Sequence, residues 1–149
     1  SSLSQLAKDQ DSCIVSTYYY SMLMDVGHTQ EYTFENVKTW KCFRIKNPLE
    51  MKKIYIPVNL GNQHWVLVVI DNPSKTITFY DSLMSEEAFN DNTGEITSKC
   101  NRNILDNIMR LLKEYDTNLP DYKYTSVRLP GQVRGEFMNF CIYLSCYLN

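Results

Sequence analysis

The segment "HWVLVVIDNPSKTITFYD", His64 to Asp81, constrains the fold of this 149-residue chain more than any other stretch. Its first half is a continuous run of β-branched and apolar residues, the pattern of a strand buried on both faces. Its second half alternates apolar with polar positions, the pattern of a strand with one face buried. The intervening "NPSK" is turn chemistry, so the two strands are expected to pair as antiparallel neighbours.

Around that hairpin the periodicity changes. Asp11 and Ser12 are placed to cap a helix whose apolar positions Ile14, Val15, Tyr18, Tyr19, Met22 and Leu23 run up to Gly27. A short second helix is expected around Phe34 to Trp40, then a strand over Ile54 to Val58, where Pro57 signals an edge or a bulge. After the hairpin, "SEEAFNDNTGE" reads as a polar loop, and Ile104, Leu105, Ile108, Leu111 and Leu112 form a helical stripe ending at Tyr115. "YKYTSVRL" reads as a strand, "PGQVRGEF" as a loop, and "NFCIYLSCYL" as a buried helix capped by Asn139. Helices, three strands, a helix, a strand and a helix make an α+β domain with a mixed sheet. Residues 1–149 read as one domain, either whole or excised from a longer protein.

Composition removes several function classes. No apolar stretch approaches the ~20 residues of a membrane span, and "CIVSTYYYSMLM" reads as an amphipathic helix and not as a signal peptide. Fifteen Lys and Arg against seventeen Asp and Glu, with no basic cluster longer than "MKK", argue against a nucleic-acid surface. Five scattered cysteines without CxxC spacing and two histidines argue against zinc, so no metal or other cofactor is expected. Reduced thiols of a nuclear or cytoplasmic protein are the simplest account of them.

Any of those thiols is a candidate nucleophile, and nucleophilic catalysis needs companions: an imidazole to shuttle the proton, a carboxylate to orient it, and an oxyanion donor. His64 opens one strand of the hairpin and Asp81 closes the next, so pairing brings them near one another. The bland alternative is a strand-end histidine and an aspartate that caps the following loop. Cys13, in "QDSC" with Gln10 upstream, is one candidate, and Cys141 is another. Cys42 and Cys100, in polar contexts, read as exposed structural thiols, Cys146 as core, and His28 as a solvated loop residue.

The residues "IYIPVNLGNQHWVLVVID" followed by "ITFYDSL" resemble the core of the ubiquitin-like-protein-specific protease family, the SUMO proteases and their viral and bacterial relatives. The Pro and Asn before the His, the His-Trp pair and the Asp-Ser-Leu occur in that family's order. "DSCIVSTYYYSML", "FENVKTWKC" and the stripe from Ile104 to Tyr115 are similar to its opening helix, its short helix and the helix after its aspartate. The resemblance implies a papain-like α+β fold of the SUMO-protease type, a mixed central sheet flanked by helices. It implies a cysteine protease or isopeptidase acting on a ubiquitin-like protein, its conjugates or a polyprotein. It assigns His64 as base, Asp81 as its orienting carboxylate, Gln132 in "RLPGQ" as oxyanion donor, Cys141 as nucleophile and Trp65 as floor of a substrate tunnel. Two departures accompany it. The family's Asp-Cys-Gly is here Phe140-Cys141-Ile142, and laying "IY" on the family's apolar-aromatic pair puts Phe140 at the nucleophile position, which describes an inactive binding module. The tryptophan that lids the tunnel before the opening helix has no counterpart in "SQLAKDQ".

Overall fold

The computed structural model describes residues 11–60, 64–81, 89–90, 95–96 and 99–128, with residues 64, 89, 90, 95, 96, 99, 100 and 128 as backbone. Its frame is a five-stranded mixed sheet in the order β1-β2-β3-β4-β7. β2 (Lys53–Leu60), β3 (His64–Asp71) and β4 (Thr76–Asp81) form an antiparallel meander. β1 (Ser12–Ile14) adds to one side and β7 (Lys123–Arg128) to the other, each parallel to its neighbour. The described α-helices are α1 (Tyr19–Leu23), α2 (Cys42–Ile45) and α3 (Lys99–Lys113). Single 3-10 turns occupy Phe34–Asn36 and Pro48–Glu50.

The expected hairpin is present, and its turn is held by side chains. Asp71 Oδ1 accepts from the Ser74 amide, the Lys75 amide donates to the Asn72 carbonyl, and Lys75 takes φ 54 to return the chain. The Asn72 side-chain Nδ2 donates to the Pro48 and Met51 carbonyls while its Oδ1 accepts from the Tyr122 hydroxyl, tying the turn to both flanking segments. β3 is buried on both faces as its composition requires. Val66, Val68 and Ile70 join the main core, and Leu67 and Val69 join a second cluster with Tyr55 on the opposite face. β4 alternates as expected, with Ile77, Phe79 and Asp81 buried and Thr76, Thr78 and Tyr80 half-buried.

The main core is the sheet face formed by Ile54, Ile56, Val58, Val66, Val68, Ile70, Ile77 and Phe79, covered by Ile104, Leu105, Ile108, Met109, Leu111 and Leu112 of α3 and by Tyr19 and Leu23 of α1. The predicted stripe of α3 is therefore the face that packs. Polar contacts orient the helix: Asn107 donates to the Tyr20 hydroxyl, Arg110 lies 3.8 Å from the Tyr32 ring centroid, and the Tyr124 hydroxyl donates to Asp106. Pro57 sits beyond the reach of β1, which ends opposite Tyr55, so it lies where β2 is locally an edge among the described residues.

Four expectations are corrected. Asp11 and Ser12 do not cap a helix: Ser12–Ile14 is a strand, and the helix begins only at Tyr19. Val15, just after the strand, and helix residue Tyr19 are both buried, which reproduces helical spacing across a strand-to-helix junction. Tyr18 and Met22, counted in the apolar stripe, are exposed. The second helix is a 3-10 turn, with α2 following it. The polar loop after Asp81 contains a small antiparallel pair, β5 (Phe89–Asn90) and β6 (Glu95–Ile96). The helix expected over "NFCIYLSCYL" lies outside the described residues.

Candidate active site

The hairpin register decides whether His64 and Asp81 are companions. Val66 pairs with Asp81, and His64 lies two residues further along β3. Alternation puts positions 64, 66 and 68 on one face, and Asp81 shares that face with Phe79 and Ile77. His64 and Asp81 are thus diagonal cross-strand neighbours, a relation with Cα atoms about 7–8 Å apart. Asp81 is only 3% exposed, and it is partnered within the fold. A carboxylate taken out of water keeps its charge only where polar or cationic groups face it, which is the setting an orienting carboxylate needs.

The strand next door adds a topological fact. β7 runs parallel to β4, with Asp81 opposite Arg128, so the chain leaves β7 at the end of the sheet where β4 ends and β3 begins. Gln132 and Cys141 lie outside the described residues. Trp65 is half-buried and packs beside Tyr55, Leu67 and Val69 on the face opposite to Val66 and Asp81.

Cys13 belongs to a different part of the sheet. It pairs with Ile54, which pairs with Ile70, whereas His64 pairs with Leu60. Six residues of strand separate the two levels, about 20 Å at ~3.4 Å per residue, so Cys13 is not a partner for His64. Cys42 also departs from expectation: it is half-buried and packs against the main core. His28 is exposed, as expected of a loop histidine. Among the described residues no group of three or more His, Cys, Asp or Glu could hold a metal ion, and no helix is long and apolar enough to cross a membrane.

A protein-family comparison matches residues 1–128 to the Ulp1 protease family, C-terminal catalytic domain. The chain belongs to that family. Ubiquitin-like-specific protease 1 of Saccharomyces cerevisiae is 31% identical over 68 residues, which cover 46% of this chain and 10% of that protein. Among solved structures, the C-terminal Ulp1 protease domain in complex with Smt3, the yeast ortholog of SUMO, matches with a TM-score of 0.67 at 22% identity, over 95% of this chain and 60% of that one. The Chaetomium thermophilum Ulp1-like SUMO protease catalytic domain matches with a TM-score of 0.52 at 16% identity, over 97% and 54% respectively. The fold is thus that of the SUMO-protease type, and the chain spans little more than half of those solved domains. The family match ends at residue 128, before Gln132 and Cys141.

Proposed function

We propose that this chain is a cysteine protease or isopeptidase that cleaves a ubiquitin-like modifier of the SUMO class, or a polyprotein, in a reducing compartment of the nucleus or cytoplasm. The observation that carries the reading is the diagonal placement of His64 and buried Asp81 on one face of the sheet, at its β3-β4 end. In the proposed reaction Cys141 Sγ attacks the scissile carbonyl and its proton passes to His64. Asp81 holds the imidazole in one tautomer and stabilises the imidazolium, and the Gln132 side-chain amide donates to the tetrahedral oxyanion. His64 then protonates the leaving amine, and water hydrolyses the thioester with His64 as base. Trp65 would contribute an apolar wall to the channel for the modifier's tail.

A second reading has its own support. The family match stops before the nucleophile segment, and Phe140 and Ile142 flank Cys141 where the family carries Asp and Gly. On that reading the chain keeps the fold and the modifier-facing surface as a binding module without turnover. A ubiquitin-like protein bearing a thiol-reactive C-terminal electrophile separates the two. An adduct on Cys141, absent in His64→Ala, is the outcome expected of the protease; binding without an adduct across a panel of such modifiers would replace it with the binding module.

A further inference from the structure

We propose that the cleft between α3 and the start of β7 is a docking groove for an extended segment of a partner protein that carries a glutamate or aspartate beside an apolar side chain. The cleft has a volume of about 400 Å³, enough for a few residues of another chain. Helical spacing builds one wall, because Asp106, Met109, Arg110 and Lys113 recur at i, i+3, i+4 and i+7 along α3. The segment entering β7 builds the other. Two polar contacts cross from wall to wall: the Tyr124 hydroxyl donates to Asp106 at 2.9 Å, and Lys113 pairs with Asp121. Seven residues of helix separate these crossings, about 10 Å at ~1.5 Å per residue, which is the span of about three extended residues. Between them lies an apolar floor. Met109 and Tyr122 are buried, and the Tyr122 amide donates to the Met109 sulfur at 3.2 Å. Asp106, Arg110 and Asp121 on the rim are exposed. A buried apolar floor under an exposed polar rim is the anatomy of a surface that receives another chain.

The charges decide the sign of the occupant. Lys113 and Asp121 neutralise one another, and Asp106 is met by the Tyr124 hydroxyl. Arg110 forms no ion pair among the described residues. Its guanidinium lies 3.8 Å from the centroid of the Tyr32 ring, and the Tyr32 hydroxyl donates to Glu114, which engages that carboxylate and fixes the ring. Stacking occupies the face of a guanidinium and leaves its in-plane N–H donors for a carboxylate, which they meet in pairs. Because the ring holds the head in place beforehand, docking costs little side-chain freedom. A second cation, the Lys75 ammonium, lies 5.7 Å from the Tyr122 ring centroid and adds positive potential at the floor. The apolar neighbour of the incoming carboxylate then rests on half-buried Tyr124 and completes the cover over Met109 and Tyr122. Tyr124 pairs with Ile77, four residues down β4 from Asp81, about 14 Å at ~3.4 Å per residue. The groove therefore stands apart from the candidate active site, and binding to it is measured without reference to proteolysis.

The test is an NMR titration of the full chain, labelled at its methionine methyls and arginine Nε, with acetylated and amidated pentapeptides. One set carries glutamate at the centre, flanked in turn by leucine, phenylalanine, methionine or tyrosine; the matched set carries glutamine instead. The expected result is saturable shifts of the Met109 methyl and the Arg110 Nε–H with glutamate peptides, which bind roughly tenfold more tightly than their glutamine counterparts. The methyl of Met22, exposed on α1, should not move. Arg110→Gln changes an exposed side chain and should bind both sets alike, read at the Met109 methyl. No saturable shift with any peptide up to about 10 mM, equal affinity for the two sets, or a glutamate preference that survives Arg110→Gln would overturn the proposal. Sodium acetate that reproduces the full shifts would overturn it in favour of a bare anion site, and a single-stranded oligonucleotide that binds the cleft more tightly than any peptide would overturn it in favour of nucleic acid.

Discussion

Asp81→Asn tests the candidate site most sharply, because it changes charge without changing shape. Asp81 is 3% exposed at the end of β4, so an amide of the same volume creates no cavity. In the proposed reaction it removes a negative charge facing the imidazolium that would form as Cys141 gives up its proton. Two unit charges about 4 Å apart at an effective dielectric of ~20 interact by about 4 kcal/mol. At ~1.4 kcal/mol per decade, that is roughly a thousandfold in kcat/KM. Stability should fall by about 1–3 kcal/mol, the loss expected where a buried, partnered carboxylate gives up its charge. The assay is release of a fluorogenic leaving group from a ubiquitin-like C-terminus, with urea unfolding of each variant measured in parallel. A double-mutant cycle with His64→Ala supplies the control. If Asp81 acts through His64, Asp81→Asn costs a thousandfold in the wild-type background and less than about threefold in His64→Ala. Loss of under tenfold in the wild-type background, or equal losses in both, would refute the orienting role and return Asp81 to a capping residue.

Three further outcomes follow from packing and charge. Leu105→Ala empties a fully buried position between α3 and the sheet, and it should cost about 2–5 kcal/mol in urea unfolding at unchanged m; a loss below ~1 kcal/mol would mean that α3 does not cover this face. Gly27 has φ +89 with open space around the site of a Cβ, so Gly27→Ala is strained by backbone alone and should lower stability by about 1 kcal/mol, with no change in activity. The Asp11 carboxyl is held below the ordinary range by its hydrogen bond from Lys46, then by that ammonium's charge, with Lys52 adding to it. A lowered folded-state pKa stabilises the fold above the ordinary carboxylate range, and that contribution is lost as pH falls through the lowered value. Lys46→Ala should therefore move the Asp11 titration upward in a carbon-13 NMR experiment, and an unmoved midpoint would contradict the pairing.

The parts legible in sequence were those where local pattern and tertiary environment agree. β3 is continuously apolar because both its faces are covered, β4 alternates because one of its faces is more deeply buried, and α3 shows a stripe because one side meets the sheet. The hairpin register also follows from its turn: once Asp71 pairs with Thr76, Val66 must pair with Asp81, so the closeness of His64 and Asp81 was implicit in the loop length. β1 was hidden because three residues are too few for a period, and because Val15, after the strand, and Tyr19, in the helix, are both buried and fall four apart. The burial of Cys42 was beyond sequence for another reason: it depends on how α2 packs against the main core, a tertiary relation with no local signature.

The same geometry treats the two remaining site assignments differently. Because β7 is parallel to β4, with Arg128 opposite Asp81, the chain leaves the sheet beside the β3-β4 end; an antiparallel β7 would leave it near Thr76, five residues down the strand. From Arg128 to Gln132 is four residues, which covalent geometry limits to about 14 Å. On the proposed reading Gln132 acts within that reach of the strand end, whereas the chain length to Cys141, thirteen residues on, sets a limit of only about 45 Å. The oxyanion role can accordingly be tested independently of the nucleophile's flanking residues. Gln132→Ala should lower kcat by about 10²–10³ with little change in KM, since an oxyanion donor acts on charge that appears only in the transition state. Rescue by Gln132→Asn should be poor, because the shorter side chain withdraws the donor by about one bond length from an oxygen that must be met at hydrogen-bond distance. A rise in KM at unchanged kcat would instead assign Gln132 to substrate binding and leave the oxyanion without its proposed donor.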